Sequence, residues 1–498
     1  MDFHHGLLAL YASLHNPGGT RQKHLIHRWA TAIVVCKSWC PEMMVKSHVG
    51  AGHVGGHAKP RSHPARTWLR SLVRPVSRAG RRFWIPFIIA CVSVTVLENR
   101  FERLVQSEEY PGFVQTVFHL TGLYQWLVAR VRFPYPRYTA IVAIDPDKEP
   151  DIPSHNQICR QRKVVAELLC RVHAASPAVI VVDKYFGTRD KCSDETADLR
   201  RAIETVTRDT VVVVGRRIDD NVVSTKAGDR HFLQPSVDFG IQSPRFQQAI
   251  VNVDPDTRKI PLGWESYESR EKAEKSTGLP AWHNTVPLQA SLAHPGRLLQ
   301  HNRRISSFIQ RGQDSFTSFL KADEFEPILA GRILSSGVPG GTAQACPSEP
   351  LPEDLRQQIA GRVVLIGEVD HDLDDHLTVV GRMSGLLLQA NYIEALLDDR
   401  VFRPVPILDY VFGFLILAGL ELTLIVFRGR WVWLALALVV LFVFSSIVLS
   451  LFVQLLGWYV DPTPLSIIAV VTKILGSFFG RAEEETDPGR PPRRKRPA

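Results

Sequence analysis

Residues 138–145 read YTAIVAID and residues 178–186 read AVIVVDKYF, and the prediction of the fold rests on these two segments. Each is an apolar run without polar alternation, which is typical of a strand buried on both faces of a sheet. Between them, Gln161–Ala175 has apolar residues at helical spacing. A strand, a helix and a second strand of this kind predict two parallel strands joined by a crossover helix.

The same alternation of strands and helices continues along the chain. DETADLRRAIETV predicts a second helix, TVVVVGRR a third strand, GRVVLIGEV (361–369) a fourth strand, and LLLQANYIEALLDD (386–399) the next helix. The stretch 240–350 is irregular, and we interpret it as an excursion that is partly antiparallel and partly helical. We therefore predict an α/β domain with a mainly parallel sheet, helices on both faces, and ligands beyond the carboxyl ends of the strands.

Acidic side chains stand at those carboxyl ends. Asp145 and Asp183 end two strands that we expect to be neighbours, and Glu368 ends the fourth strand. With Asp375 in the loop that follows, they predict a site for a ligand or a cation. The alternative is that the acids cap the helix or turn after each strand.

Two further groups of side chains are candidates for binding. The loop HDLDDH contains His371, Asp374 and His376, whose imidazoles and carboxylates predict a metal site. The alternative is a solvated polar loop that holds one structural aspartate. Arg258, which follows Asp254 and Asp256, is a candidate anion ligand or one partner of an ion pair that fixes a turn.

The sequence contains no arrangement typical of catalysis. We find no nucleophile with a base, no glycine-rich phosphate loop and no HExxH motif. We therefore expect no catalytic residues, no enzymatic activity and no cofactor. A metal-dependent hydrolase built on the acids above is the lesser alternative.

Charge and hydropathy predict a membrane topology. Residues 1–82 carry 13 Lys/Arg against Asp2 and Glu42, whereas 98–408 carry 37 Lys/Arg and 41 Asp/Glu. Basic residues concentrated before the first apolar segment indicate that this flank stays in the cytoplasm, and we expect no nucleic-acid partner. We predict four spans with both termini cytoplasmic, in a cell (inner) membrane.

The predicted segments follow from this topology. They are a basic, His/Gly-rich and disordered region (1–82), a signal anchor (83–97), an extracytoplasmic domain (98–405), three spans (about 406–427, 431–458 and 464–480) and a short basic tail (481–498). Glu421 and Lys473 are each the only formal charge well inside a span, so we predict that they pair. Separate snorkelling of the two side chains towards the headgroups is the alternative.

Four cysteines fall in the outward segment, in a compartment that permits disulfides: Cys159, Cys170, Cys192 and Cys346. Four cysteines can pair in three ways, and the sequence alone does not identify the native pairing. Cys159 and Cys170 lie eleven residues apart on one predicted helix, roughly 16 Å along its axis, so they should not pair with each other.

The ordered motifs resemble the CHASE type 2 extracellular sensor domain of bacteria. The resemblance covers about residues 100–480 and is carried by IVAID, VIVVDKYF, VNVDPDTRKIPL, GRVVLIGEVDHDLDDHLTV and GLLLQANYIEALLDDRVFRPVP. The family's positions fall here on Asp145, Asp183, Asp254, Asp256, Arg258, Gly367, Asp374 or Asp375, Gly385 and Asn391. The chain departs from the family where Thr257 replaces a usual glycine and where no cyclase or kinase follows.

The resemblance implies an integral membrane sensor that detects an environmental stimulus. We expect it to bind a small-molecule or envelope ligand and to signal through its membrane helices to a separate partner protein, as a homodimer. The alternative is a structural or scaffold membrane protein that uses the same domain as an interaction module.

Overall fold

A computed structural model describes the domain together with parts of the flanking segments. The residues that it describes are 114–119, 121–122, 135–153, 157–188, 192–219, 221–225, 228–254, 256–275, 278–295, 315–317, 319–335, 346, 351–369, 374–405 and isolated positions from 408 to 459. No helix within these residues is both long and apolar enough to cross a membrane. The N-terminal region 1–82 and the predicted signal anchor 83–97 lie outside them, as does 406–480 apart from the isolated positions.

The order of elements follows the predicted alternation. The strands are β1 (Thr139–Ile144), β2 (Val179–Tyr185), β3 (Val211–Arg216), β4 (Val223–Thr225), β5 (Gly228–Arg230), β6 (Phe246–Ile250), β7 (Lys259–Ile260), β8 (Gly263–Ser266), β9 (Ala281–Asn284), β10 (Ser315–Thr317), β11 (Ile328–Leu329), β12 (Val363–Glu368), β13 (Asp375–Thr378), β14 (Gly381–Ser384), β15 (Val401–Pro404) and β16 (Trp458–Tyr459). The helices are α1 (Ile158–His173), α2 (Ser193–Val206), α3 (Arg270–Lys275), α4 (Val286–Ala293), α5 (Ala330–Leu334), α6 (Glu353–Ile359) and α7 (Gly385–Leu397), with a 3₁₀ turn at Ala322–Glu324.

The main sheet has six parallel strands in the order β11-β1-β12-β2-β3-β6. Its central strands are almost completely buried because both faces are covered, which explains their continuous apolar sequences. The predicted parallel sheet is confirmed. The expectation that the strands ending in Asp145 and Asp183 are neighbours is wrong, because β12 pairs with both and lies between them.

Alternate residues of the strands belong to two separate apolar cores. Val181 and Leu365 pack on the face that α4 and α7 cover, whereas Ile180 and Val364 pack on the face with α1 and α2. This division follows from the period of two along a strand. It also fixes which polar side chain at the carboxyl edge belongs to which face.

Two disulfides tie α1 to other parts of the domain. Cys159, near the start of α1, is bonded to Cys192 directly before α2, and Cys170 is bonded to Cys346. The expectation that Cys159 and Cys170 do not pair with each other is confirmed.

The excursion between the third and fourth predicted strands is richer in sheet than its sequence indicates. Strand β6 joins the main sheet beside β3 and β11 joins it beside β1. Strands β7, β10 and β15 form an antiparallel group, to which β16 adds a parallel pair with β15. The mixed antiparallel and helical character predicted for this stretch is therefore confirmed, but its contribution to the main sheet was missed.

The chain divides into two compact units. The described residues of the smaller unit lie within 219–233 and 266–281. There β4 and β5 form a hairpin, and Arg230 donates a hydrogen bond to the carbonyl of Ala273 (2.8 Å). The larger unit contains the main sheet and every residue discussed below.

Candidate functional site

Asp183 lies near the carboxyl end of β2, in the middle of the sheet edge. The register of β2 and β12 pairs Val182 with Ile366, so the next residue along β12, Gly367, stands beside Asp183. A Cβ atom on Gly367 would lie 3.3 Å from the Cβ of Asp183 and 2.7 Å from Cδ1 of Leu386. Glycine is therefore the residue that allows the aspartate and helix α7 to approach each other this closely.

Three ionisable side chains act on one another at this edge, and we refer to Asp183, Asp374 and His376 as the Asp183 cluster. Burial, together with the negative charge of Asp374, raises the pKa of Asp183 to about 7, although the positive charge of His376 opposes the shift. Part of the Asp183 side chain nevertheless remains accessible. The raised pKa means that this carboxyl group holds its proton to a higher pH than an exposed aspartate does.

Asp374 links the cluster to helix α7. One carboxylate oxygen accepts a hydrogen bond from the backbone N–H of Gly385 (3.0 Å), the first residue of the helix, and the other lies 3.0 Å from Nε2 of His376. A Cβ on Gly385 would lie 2.4 Å from the Asp374 carboxylate, so a side chain at this position would displace the carboxylate from its present place. Asp374 is thus the structural aspartate that the sequence allowed for in this loop, and it also contacts the cluster.

Helix α7 supplies a further acceptor one turn from Leu386. The side chain of Gln389 is buried, and its Nε2 donates to the carbonyl oxygen of Val251 (2.9 Å), beyond the end of β6. Its Oε1 has no hydrogen-bond partner among the residues that the structure describes. A buried acceptor in this state costs stability unless a donor reaches it.

Asp145 acts mainly as a cap for the turn that follows β1. Its carboxylate accepts hydrogen bonds from the backbone N–H groups of Asp147 and Lys148 (both 3.2 Å) and pairs with Nζ of Lys148 at 2.9 Å. Burial opposes ionisation, but the hydrogen bonds and charge of Lys148 outweigh it, so the pKa of Asp145 is lowered. This geometry matches the capping alternative for Asp145.

Glu368 lies on the opposite face of the sheet from Asp183. Its carboxylate accepts hydrogen bonds from Lys184 (3.1 Å) and from Nε2 of Gln161 on α1 (3.0 Å), and Lys184 also contacts Gln161. Burial lowers the pKa of Lys184, although the charge of Glu368 opposes this shift. Glu368 therefore takes part in an internal polar network between α1 and the sheet.

Arg258 is engaged by an acid of its own segment. Its guanidinium forms two hydrogen bonds with Asp256, at 2.7 Å and 2.8 Å, and both side chains are buried. Burial would raise the pKa of Asp256, but Arg258 and Lys259 lower it overall. The carbonyl of Thr257 between them accepts a hydrogen bond from the hydroxyl of Tyr392 (2.7 Å). Arg258 thus forms the internal ion pair that was its alternative interpretation.

The remaining predicted site residues are dispersed. Asp375 pairs with Arg382 across the β13–β14 hairpin (3.0 Å). His371 lies outside the described residues, and those residues contain no group of three or more His, Cys, Asp or Glu side chains suited to a metal ion. Glu421 and Lys473 also lie outside the described residues, so their pairing stays a prediction.

Sequence reasoning missed Glu394, the buried acid near the end of α7. Its carboxylate accepts hydrogen bonds from the backbone N–H groups of Arg137, Tyr138 and Thr139 and from the Thr139 hydroxyl, at 2.7–3.1 Å. Burial raises the pKa of Glu394, and these hydrogen bonds oppose the shift. A single acid within the apolar helix LLLQANYIEALL was the signal that could have revealed it.

The chemistry that this edge supports is recognition of hydrogen-bond donors. Carboxylates and a buried amide oxygen accept hydrogen bonds, and a nearby positive charge favours the ionised form of a carboxyl group such as Asp183. The edge lies where open α/β sheets bind ligands. A cationic or donor-rich small molecule therefore fits it best.

Comparison with known proteins agrees with this architecture. The model of the CHASE2 domain matches residues 90–439, more than two thirds of the chain. No curated protein and no solved structure gives a significant match. With its parallel α/β sheet and this match, the chain belongs to the CHASE2 family, whose domain is an extracellular sensor of signalling proteins.

Proposed function

We propose that the chain is an integral membrane sensor whose CHASE2 domain lies outside the cytoplasm. The domain binds a cationic or donor-rich ligand at the Asp183 cluster and passes the change through membrane helices to a separate partner protein. The protein acts as a homodimer and has no catalytic role of its own. The position of helix α7 carries the proposal.

Helix α7 connects the candidate ligand site with both ends of the domain. Its first residue, Gly385, is held by Asp374 of the cluster, and its Glu394 holds the start of β1. Thirteen residues make the helix roughly 20 Å long. Directly after it, β15 leads towards the proposed span at 406–427. A ligand that moves Asp374 would therefore move the element that meets the segments on both sides of the domain.

Two features of the C-terminal segment support the membrane arrangement. Val432, Leu436, Val440 and Phe444 are helical, recur at every fourth residue, and are 80%, 52%, 59% and 64% exposed. Residues at this spacing share one face, and an apolar face of this kind is covered when lipid surrounds it.

The pairing of β15 with β16 supports the same arrangement. Arg403 pairs with Trp458 and Pro404 with Tyr459, so the chain returns to the level of the domain after residues 405–457. That length accommodates two crossing helices of about 20 residues each. The return fits a second span that runs inward and a third that runs outward.

Reporter fusions test the topology. We expect a reporter after residue 405 or after residue 459 to be active outside the cytoplasm, and one after residue 490 to be active inside. If the reporters after 405 and 490 are active on the same side, the four-span arrangement is wrong.

A pair of matched variants tests the coupling through α7. Asp374→Asn weakens the contact with Gly385, whereas Asp375→Asn removes the neighbouring ion pair with Arg382 and leaves that contact in place. In the full-length protein we expect faster amide hydrogen exchange at 137–139 in the first variant and unchanged exchange in the second. If amide hydrogen exchange at 137–139 is equally fast in both variants, α7 does not couple the Asp183 cluster to the start of β1.

Ligand titration separates the sensor from the scaffold alternative. A sensor should be stabilised progressively as ligand concentration rises, because the ligand binds only the folded state. We expect spermidine, a donor-rich cation, to raise the unfolding temperature of the full-length protein but not that of Asp183→Ala. A protein that spermidine does not stabilise, and that cross-links to one partner, would be a scaffold.

A further inference from the structure

Trp282 packs closely against the backbone of β8 at Gly263. A Cβ on Gly263 would lie 2.3 Å from Cε2 of the indole, 2.4 Å from Cζ2 and 2.6 Å from Nε1. These three bonded atoms form the rim of the indole that carries the N–H group, so the glycine allows this rim to approach the strand. Trp282 is 39% exposed, so part of its surface remains accessible.

A row of amide side chains continues from the indole. Nε1 of Trp282 donates to Oδ1 of Asn284 (3.1 Å), Nδ2 of Asn284 donates to Oε1 of Gln289 (2.7 Å), and Nε2 of Gln289 donates to Oε1 of Gln247 (2.6 Å). The indole can only donate, so it fixes the orientation of every amide after it. The row ends on β6, the edge strand of the main sheet.

Each amide in the row keeps hydrogen-bonding capacity for a ligand. An amide NH₂ has two N–H donors and its oxygen accepts two hydrogen bonds, while the row uses one of each at Asn284 and Gln289. Asn284, Gln289 and Gln247 are all partly accessible. The row therefore presents alternating donors and acceptors, none of them charged, beside an aromatic ring.

We propose that Trp282 and this amide row form a binding platform for a neutral oligosaccharide. A pyranose ring has one face of C–H groups, which packs on an aromatic ring, and hydroxyl groups at its rim that both donate and accept. Alternating uncharged donors and acceptors match a series of such hydroxyls. The platform uses none of the residues of the Asp183 cluster, and its test does not depend on the membrane topology.

A cation would use the same ring differently. Cations bind over an aromatic face and gain most when acidic or further aromatic groups surround them. The neighbours of Trp282 in the row are neutral amides whose oxygens already accept hydrogen bonds. The arrangement therefore favours a saccharide over a quaternary ammonium.

Titration calorimetry on the purified full-length protein tests the platform, with maltohexaose, cellohexaose and chitohexaose as probes. We expect at least one of them to bind, Trp282→Ala to weaken that binding roughly tenfold or more, and Gln289→Ala to weaken it less. Tyr135→Ala is the matched control, because Tyr135 is an exposed aromatic residue (59%) outside the row, and it should bind as the parent does.

Thermal unfolding of each variant establishes that it is folded. If Trp282→Ala does not fold, Gln289→Ala and Asn284→Ala keep the ring and carry the test, and both should weaken binding. The proposal is overturned if none of the three saccharides binds, if the folded Trp282 or amide variants bind as the parent does, or if Tyr135→Ala weakens binding equally. Binding of choline in place of the saccharides would also overturn it.

Discussion

Replacing Asp183 with asparagine should stabilise the domain at neutral and alkaline pH and leave its stability almost unchanged near pH 4. The pKa of this carboxyl rises from 3.8 to about 7 on folding, so the folded state holds a proton that the unfolded state has released. Stability consequently falls as pH rises from about 4 to 7, and the loss is complete above pH 7. Asparagine has no charge to bury, so the variant does not lose this stability.

The size of the effect follows from the same shift. About three pKa units at about 1.36 kcal/mol each give at most about 4 kcal/mol above pH 7. For a domain of this size, about 2 °C per kcal/mol makes the gain in unfolding temperature at most about 8 °C. Among the residues that the structure describes, the Asp183 side chain makes no hydrogen bond, so the change to asparagine removes none.

Thermal unfolding of the full-length protein between pH 5 and pH 8 measures this gain. We expect the difference between Asp183→Asn and the parent to grow with pH across this range. Asp375→Asn is the control: it removes an exposed ion pair with Arg382, and its effect should stay within about 1 kcal/mol at every pH. A gain that does not change with pH, or an Asp183→Asn protein that is less stable at pH 8, would refute the reasoning.

Three further predictions concern Glu394, the Cys159–Cys192 disulfide and the predicted intramembrane pair. Glu394→Ala should lower the free energy of unfolding by about 3–5 kcal/mol, because it removes the buried acceptor of the N–H groups of Tyr138 and Thr139. Glu394→Gln should lower it by about 1–2 kcal/mol, and equal thermal unfolding of Glu394→Ala and the parent would contradict the prediction. Cys159→Ser should lower the free energy of unfolding by about 3 kcal/mol, measured by thermal unfolding. Peptide mapping of the parent without reductant should recover Cys159 bonded to Cys192. Glu421→Lys and Lys473→Glu should each reduce folded yield, and the double exchange should restore part of it; a double exchange no better than the sum of the single ones means that no pair exists.

The local elements of this domain could be predicted because their signals are local. Apolar runs such as AVIVVDKYF fix strands buried on both faces, and the apolar spacing of α1 fixes a helix on one face. Strands β6 and β11 were missed because FQQAI and the two-residue IL carry too little apolar pattern to distinguish them from loop. They become strands because β3 and β1 offer unpaired edges to them.

Strand order could not be predicted from these signals. β12 lies between β1 and β2, although more than 170 residues separate it from β2 along the chain. Pairing depends on which edges remain open after β1 and β2 are connected by α1, and no local pattern records that choice. The separation of Asp145 from Asp183 by a whole strand follows directly from this order.

The fold class, the carboxyl edge as the place for polar residues, and Asp183, Asp374 and His376 as candidates all follow from residue order and periodicity. The interactions among these three residues depend instead on the folded domain, in which Arg258 and Asp145 are engaged by their own neighbours. The same is true of Glu394 of α7, which binds the start of β1 some 255 residues earlier. Residue type and periodicity indicate which positions are buried, whereas the pairing of buried charges depends on distances that exist only after distant segments have packed together.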